Sequence, residues 1–221
     1  MLVAVEEGTV GLDTAAGPPG STIRHLLAHA SGLGPDGGVL APPATRRTYS
    51  SAGYEVLAET VADGADMTFA EYLGGALLRP LGLQSTTLRG SPASGAVGPL
   101  VDLLAVGHEL LVPSLVAPGT LAEATTVAFP GLAGVLPGFG RQDPNDWGLG
   151  PELRSTKSPH WTGAGNSPAT FGPFGRAGGF LWVDPVANVA CACLTDLGFG
   201  PWATTVLPGL CDAVLAEAAA R

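Results

Sequence analysis

Apolar residues recur three and four positions apart through the first half of the chain, which is the spacing of helices that bury one face. Ser21 or Thr22 is suited to cap the first such segment and Gly32 to end it. Thr68 is likewise suited to cap a later segment, residues 69–78. The pattern predicts helices over residues 23–30, 52–62, 69–78, 100–112 and 118–125.

From Phe129 onward the apolar runs are shorter and are separated by Gly and Pro, which is typical of strands and turns. Two strands are predicted over 147–154 and 160–162, with Lys157 in the turn between them. A Gly-rich stretch then leads into an apolar strand that ends at Asp184-Pro185, and residues 188–195 form the returning strand. We expect this hairpin at the centre of a sheet, followed by an amphipathic helix over 201–220.

Helical segments followed by strands and one long helix predict an α+β fold, with helices packed on an antiparallel sheet. The chain is 46% hydrophobic and 13% charged, so its 221 residues can bury a sizeable core. Three regions are expected: 1–21 as the end of a helix and a connector, 22–128 as a mainly helical domain, and 129–221 as a sheet domain with the C-terminal helix.

Charge and hydropathy restrict the partners. Ten Lys and Arg stand against nineteen Asp and Glu, giving a net charge of −9. Nucleic-acid binding through phosphates needs clustered Lys and Arg, so no nucleic-acid partner is predicted. No run of about eighteen apolar residues exists, so no membrane helix is predicted. The first eight residues lack the basic start and cleavage site of a signal peptide.

Cysteine and histidine spacing gives no metal or cofactor site. Three cysteines cannot form a closed disulfide framework, and Cys191 and Cys193 fall on one face of a predicted strand. Buried free thiols are the favoured interpretation, which suits a reducing cytoplasm. His25 and His29 are one helical turn apart, a spacing that can bind metal. No third ligand follows at a suitable spacing, so structural or capping histidines are favoured.

Four segments together resemble one protein family. Residues 2–13 are similar to the end of its catalytic helix, and residues 22–33 to its "TIRHLLTHTSGL" signature. Residues 49–54 resemble the segment "YSNxGY", and residues 171–185 align without gaps to "FGHTGFTGTSLWIDP". The family is that of the β-lactamase-related serine hydrolases, which includes class C β-lactamases, DD-peptidases and esterases. Order and spacing match across essentially the whole chain.

The resemblance implies a β-lactamase/transpeptidase-like fold: a sheet flanked by helices, plus a helical domain, with the active site in the cleft between them. It also implies acyl transfer without a cofactor on a small-molecule amide or ester. The serine of a Ser-x-x-Lys motif attacks the carbonyl, and the lysine helps to activate that serine. A tyrosine of the second motif shuttles protons, and Tyr49 is the candidate for this role or that of general base, with an ordinary helix-entry tyrosine as the alternative. The third motif, at a strand edge, binds the substrate carboxylate or supports the tyrosine.

The chain departs from all three family motifs. It contains no Ser-x-x-Lys, because its only lysine, Lys157, has Arg154 three residues earlier. We expect that motif, and the family's N-terminal strands, to lie upstream of Met1. Ser51 replaces an asparagine, and a serine lacks the separate carbonyl and NH₂ of an amide. Pro173-Phe174-Gly175 replaces His-x-Gly or Lys-x-Gly, which removes an ionisable group from the third motif. The chain as given is therefore predicted to be inactive.

Three further residues are candidates for the cleft. His160 is one, with a strand-end histidine as the plainer interpretation. Trp161 is another, although core packing is the default for it and for Trp147 and Trp182. Asn166 could orient a substrate, and turn chemistry explains it equally well.

Three hypotheses remain open at this stage. The natural gene product is longer and is a serine hydrolase, which translation of the DNA upstream of Met1 would test. Alternatively, the chain is a non-catalytic binding module that uses the family cleft. The third hypothesis is a remnant without function, with an exposed sheet edge and an unfilled core. The sequence predicts no oligomeric state.

Overall fold

The computed structural model describes residues 1–220. Helices α1 to α4 span Leu2–Glu6, Ile23–Leu27, Ser51–Ala65 and Phe69–Leu73, and α4 continues as a π-helical turn over Gly74–Leu78. Helices α5 to α7 span Leu100–Leu111, Pro118–Ala124 and Pro201–Ala219. The predicted helices are thus all present, and the predicted cap of Thr68 is a full capping box with Glu71.

Within residues 1–220, eight short strands form three antiparallel sheets. Strands β1 (Thr87–Leu88) and β2 (Ala96–Val97) pair with each other, as do β3 (Gly134–Leu136) and β4 (Gly140–Gln142). The main sheet has the order β5-β6-β7-β8. Its strands span Glu152–Leu153, Phe171–Gly172, Phe180–Asp184 and Val189–Cys193.

The main sheet is covered by helices on both faces. On β7, Phe180 and Trp182 pack in one cluster with Ala203 and Leu207 of α7. Alternate residues point the other way, and Val183 packs beside Leu110 of α5. Helix α5 approaches closely through Gly107, where an added Cβ would lie 3.1 Å from Leu181 and 3.2 Å from Ala190. The α+β arrangement of helices on an antiparallel sheet is confirmed, and α5, from the region 22–128, forms part of it.

A separate cluster of buried apolar residues joins the helices of the first half. Ile23 and Leu26 of α2 pack there against Leu57 and Val61 of α3. Ala4 of α1 belongs to the same cluster and is fully buried. This cluster fixes the start of α3, which is where Tyr49 lies.

Helix α2 is shorter than the apolar pattern predicts. It ends at Leu27 instead of Ala30, because His29 takes a left-handed conformation with φ of 52°. The backbone therefore turns out of the helix while His29 stays buried.

The predicted pairing of residues 147–154 with 160–162 is wrong. Within that segment only Glu152–Leu153 forms a strand, and its partner is β6. Residues 160–162 instead satisfy their polar groups through side chains, as the hydrogen bond from the backbone N–H of Thr162 to Nδ1 of His160 shows. Pro159, which has no N–H, cannot extend a ladder.

The hairpin of β7 and β8 is present with the predicted strands, but its predicted central position is wrong. Strand β7 lies between β6 and β8, and β8 has no further strand partner within residues 1–220. The hairpin is therefore at one edge of the sheet that the structure describes. Cys191 and Cys193 lie on one face of β8 as predicted, pack against the α7 cluster, and are half-buried rather than buried.

Candidate active site

Tyr49 lies two residues before the first residue of α3 and is 44% exposed. The next residue, Ser50, caps the helix: its hydroxyl accepts a hydrogen bond from the N–H of Gly53 at 3.0 Å. The same hydroxyl donates to the carbonyl of Gly34 at 2.7 Å. Ser51, the altered motif residue, is the first residue of α3. The segment 49–54 therefore places the exposed residue Tyr49 beside a capped helix start.

His29 supports the ring of Tyr49 from inside. Its Nδ1 accepts a hydrogen bond from the N–H of Ser50 at 3.2 Å. Burial, with the nearby charge of Arg47, lowers the pKa of His29 to about 3, so the ring is neutral near pH 7. The His29 ring lies 4.6 Å from that of Tyr49 and 4.9 Å from that of Trp147. Sequence reasoning treated His29 as structural or capping and missed its contact with Tyr49.

Arg47 holds together the segments around Tyr49. Its guanidinium donates to the carbonyl of Asn145 at 2.7 Å and to those of Ala128 and Phe129 at 2.8 and 3.1 Å. A further hydrogen bond goes to the carbonyl of Ala28. Burial lowers the pKa of Arg47 to about 10, and the group remains charged at neutral pH. No sequence signal distinguished this buried arginine from its neighbour.

The third motif keeps its backbone shape and lacks polar side chains. Gly172 has φ of 153°, and an added Cβ there would lie 2.0 Å from the carbonyl oxygen of Leu181. Pro173 is exposed, and its carbonyl accepts from the N–H of Leu181 at 3.0 Å. Gly175 donates its N–H to the carbonyl of Gly179 at 3.0 Å. The loop thus turns back tightly on β7.

Phe174 fills an aromatic cluster at the base of this loop. Its ring centroid lies 5.2 Å from that of Trp161, 5.1 Å from that of Phe199 and 6.5 Å from that of Phe139. The motif position that follows Pro173 is therefore occupied by a packing residue.

His160, Trp161 and Asn166, the candidate cleft residues, lie in the interior, with relative exposures of 6%, 0% and 3%. Trp161 donates its indole N–H to Oε2 of Glu152 at 2.9 Å. Asn166 accepts from the N–H of Gly163 at 2.9 Å. They contribute buried hydrogen bonds and do not form an exposed lining. Trp147 and Trp182 are buried as well, at 6% and 0%.

His160 and Glu152 form a polar contact inside the protein. Nε2 of His160 lies 3.0 Å from Oε2 of Glu152, and its Nδ1 accepts the N–H of Thr162, so Nε2 is the ring nitrogen that carries the proton. Burial lowers the pKa of His160. Burial alone would raise the pKa of Glu152, but the hydrogen bond from His160 and the charge of Lys157 hold it below its ordinary value.

The predicted site residues fall into two groups. Tyr49 and Ser51 lie at the start of α3, whereas His160, Trp161 and Phe174 lie together beside the third motif. No ring contact or direct hydrogen bond joins the two groups within residues 1–220. Within the same residues, no three or more His, Cys, Asp or Glu side chains are arranged to hold a metal ion. None of the helices described is both long and apolar enough to cross a membrane.

The family model described as Beta-lactamase matches residues 1–205. The chain belongs to the beta-lactamase family. The crystal structure of a beta-lactamase from Mycobacterium bovis is similar over 98% of this chain and 81% of its own, with 55% sequence identity and a TM-score of 0.96. No curated protein matches the chain.

More distant structures share the fold. A mutant of simvastatin synthase from Aspergillus terreus matches 100% of this chain and 78% of its own, at 15% identity and a TM-score of 0.79. A penicillin binding protein from Bacillus halodurans matches 96% of this chain and 80% of its own, at 16% identity and a TM-score of 0.74. The fold predicted from the four motifs, that of the β-lactamases and transpeptidases, is confirmed.

Proposed function

We propose that the chain carries part of the cleft of a serine hydrolase for small amide or ester substrates, and that the chain of 221 residues does not itself form an acyl-enzyme. The observation that carries the second statement is the position of its only lysine. Lys157 is buried and paired with Glu152, and Arg154 stands three residues before it. Covalent acyl transfer needs a nucleophile with a base beside it, and this amine is committed elsewhere.

Membership of the family and the position of Tyr49 support the first statement. Tyr49 is 44% exposed beside the capped start of α3, which suits a proton-transfer group. Pro173 supplies neither a charge nor an N–H to a substrate. Loss of one acid–base participant typically lowers a rate by about 10²–10⁴-fold. Even if a nucleophilic serine is supplied, we expect the altered third motif to make the site a weak catalyst.

Covalent labelling tests the proposal. The purified chain is incubated with a fluorophosphonate, and the labelled fraction is measured against the M. bovis relative. We expect no labelling of this chain. Stoichiometric labelling that is lost in Tyr49→Phe would contradict the proposal and show that another serine has taken the place of the nucleophile.

A second candidate function is non-catalytic binding in the same cleft. The exposed Tyr49, held on buried His29 and Trp147, favours it. Calorimetric titration with an intact penicillin and with a neutral ester tests this function. Saturable binding that Tyr49→Ala weakens supports it, and absence of binding to both rejects it for these classes.

A remnant without function is the third hypothesis. It predicts aggregation through the unpaired edge of β8. Cooperative unfolding of a soluble monomer would count against it.

We also infer, from the three cysteines without disulfide bonds, a reducing compartment such as the cytoplasm. The net charge of −9 supports the absence of a nucleic-acid partner, which a binding assay with labelled DNA and RNA would test.

A further inference from the structure

A chain of polar and aromatic contacts links the two groups of site residues. It starts at the segment 145–147, which lies between two cations. Arg47 donates from Nε to the carbonyl of Asn145 at 2.7 Å, and Lys157 donates from Nζ to the carbonyl of Asp146 at 2.7 Å. Lys157 also reaches Oδ1 of Asn145 at 3.3 Å. The backbone immediately before Trp147 is therefore held from two sides.

Glu152 is the centre of this network. Its carboxylate accepts hydrogen bonds from Lys157, from Nε2 of His160 and from the indole of Trp161. The side chains of Glu152 and Lys157 are each 1% exposed. Three donors from the irregular segment between β5 and β6 thus meet on one carboxylate.

One end of the network reaches Tyr49. The ring centroid of Trp147 lies 6.3 Å from that of Tyr49 and 4.9 Å from that of His29. The ammonium of Lys157 lies 5.9 Å from the centroid of the Trp147 ring. Arg47 itself is only two residues before Tyr49. A shift of the segment 145–147 therefore moves the wall against which Tyr49 rests.

The other end of the network reaches the third motif. The ring of Trp161, whose N–H is fixed by Glu152, lies 5.2 Å from the ring of Phe174. Phe174 stands between Pro173 and Gly175 in the motif loop. The carboxylate of Glu152 thus determines the orientation of the side chain on which the loop rests.

A buried ion pair rarely adds net stability compared with apolar side chains of the same volume, and its best-attested use is to fix one arrangement out of several. We propose that Lys157 and Glu152 are positioning residues that set Tyr49 and the Pro173–Gly175 loop relative to each other. The proposal rests on the proposed site, and it requires no acylation by this chain. The role of Lys157, the only lysine, is then to maintain the geometry of the cleft.

Fluorine NMR of the chain labelled with 3-fluorotyrosine tests this. The chain has three tyrosines, and Tyr→Phe variants assign their signals. Tyr72 is the internal reference, because it donates to Glu7 at 2.6 Å in the helical region. In Lys157→Met we expect the Tyr49 signal to move by more than its linewidth while the Tyr72 signal stays in place. In Lys157→Met labelled with 4-fluorophenylalanine, we expect the Phe174 signal to move by more than its linewidth as well.

Two further variants complete the experiment. Arg24→Met, which removes an exposed pair with Glu123 at 2.8 Å, should leave every signal in place. Glu152→Gln keeps the shape of the side chain and replaces Lys157→Met if the latter does not fold. A folded variant with an unmoved Tyr49 signal overturns the proposal. Equal movements of all tyrosine signals would also overturn it, and so would failure of both variants to fold. In either case Lys157 and Glu152 would stabilise the whole fold and not the site in particular. Fluorophosphonate labelling tests the proposed function, and its result does not depend on the positions of these signals.

Discussion

The rings of His29 and Tyr49 lie 4.6 Å apart, although the two residues come from different segments of the chain. One ring is buried and the other is 44% exposed. The contact gives an exposed tyrosine a rigid base, and it places a neutral histidine where protonation would disturb the site.

Acid should therefore weaken the fold through His29. Its pKa is about 3 in the folded chain against an ordinary 6.5, so between these values the unfolded chain binds a proton that the folded chain does not. The stability contributed by the neutral ring is present above about pH 6.5 and is lost as the pH falls towards 3. We expect the free energy of unfolding to fall more between pH ~7 and ~4.5 in the native chain than in His29→Asn, by roughly 2 kcal/mol.

Urea denaturation at the two pH values measures this difference. Asparagine is chosen because it tolerates the left-handed backbone that His29 adopts. His108→Asn, at an exposed site on α5, is the matched control and should keep the native pH dependence. Equal pH dependence in His29→Asn and the native chain would contradict the assignment.

Removal of the Arg47 guanidinium should be costly. Four backbone carbonyls accept hydrogen bonds from it, and Arg47→Met leaves them unsatisfied in the interior. We expect a loss of about 3–5 kcal/mol in the free energy of unfolding. Arg46→Met, at the exposed neighbour, should change it by less than about 0.5 kcal/mol. Similar urea midpoints for the two variants would show that the buried contacts contribute little.

The third-motif loop should depend on Gly172 and not on Gly175. In Gly172→Ala the new Cβ meets the carbonyl of Leu181 at a left-handed φ, whereas nothing lies within 4 Å of a Cβ at Gly175. We expect Gly172→Ala to cost about 2–4 kcal/mol and Gly175→Ala less than about 1 kcal/mol. Thermal unfolding of both variants measures this, and equal losses would argue against the close backbone approach.

Two of the three thiols should be unreactive in the folded chain. Burial raises the pKa of Cys191 to about 11 and that of Cys211 to about 12, and the thiolate is the reactive form. With a disulfide reagent at neutral pH, we expect Cys191 and Cys211 to react only after unfolding in urea. Cys193→Ala should remove any fast phase of the thiol reaction in the folded chain, whereas Cys191→Ala should leave that phase unchanged. A fast phase in Cys193→Ala would disprove this protection.

The sequence predicted elements where one local pattern is sufficient. The apolar run that ends at Asp184-Pro185 and the returning apolar run in 188–195 predict the β7–β8 hairpin, which the structure contains as Phe180–Asp184 paired with Val189–Cys193. It did not predict that Glu152–Leu153 pairs with Phe171–Gly172, because each of these strands has only two residues. Buried side-chain bonds, invisible in a periodicity, replace the ladder around His160.

The site residues also divide into those that a local motif predicts and those that depend on the tertiary fold. Tyr49 followed from a short motif, whereas the contacts with His29 and Trp147 depend on the tertiary fold. Lys157 is predicted in the turn between two strands, and the structure buries it against Glu152. Arg46 and Arg47 are chemically identical neighbours, and only packing makes one of them structural.

The intact mass of the purified chain after incubation with excess penicillin tests the central claim most directly. Without a Ser-x-x-Lys pair, and with Lys157 buried, we expect the mass of the unmodified chain at all times, while the beta-lactamase from M. bovis serves as the positive control for the reagent. A stoichiometric increase by the mass of one penicillin would contradict the claim that this chain does not acylate.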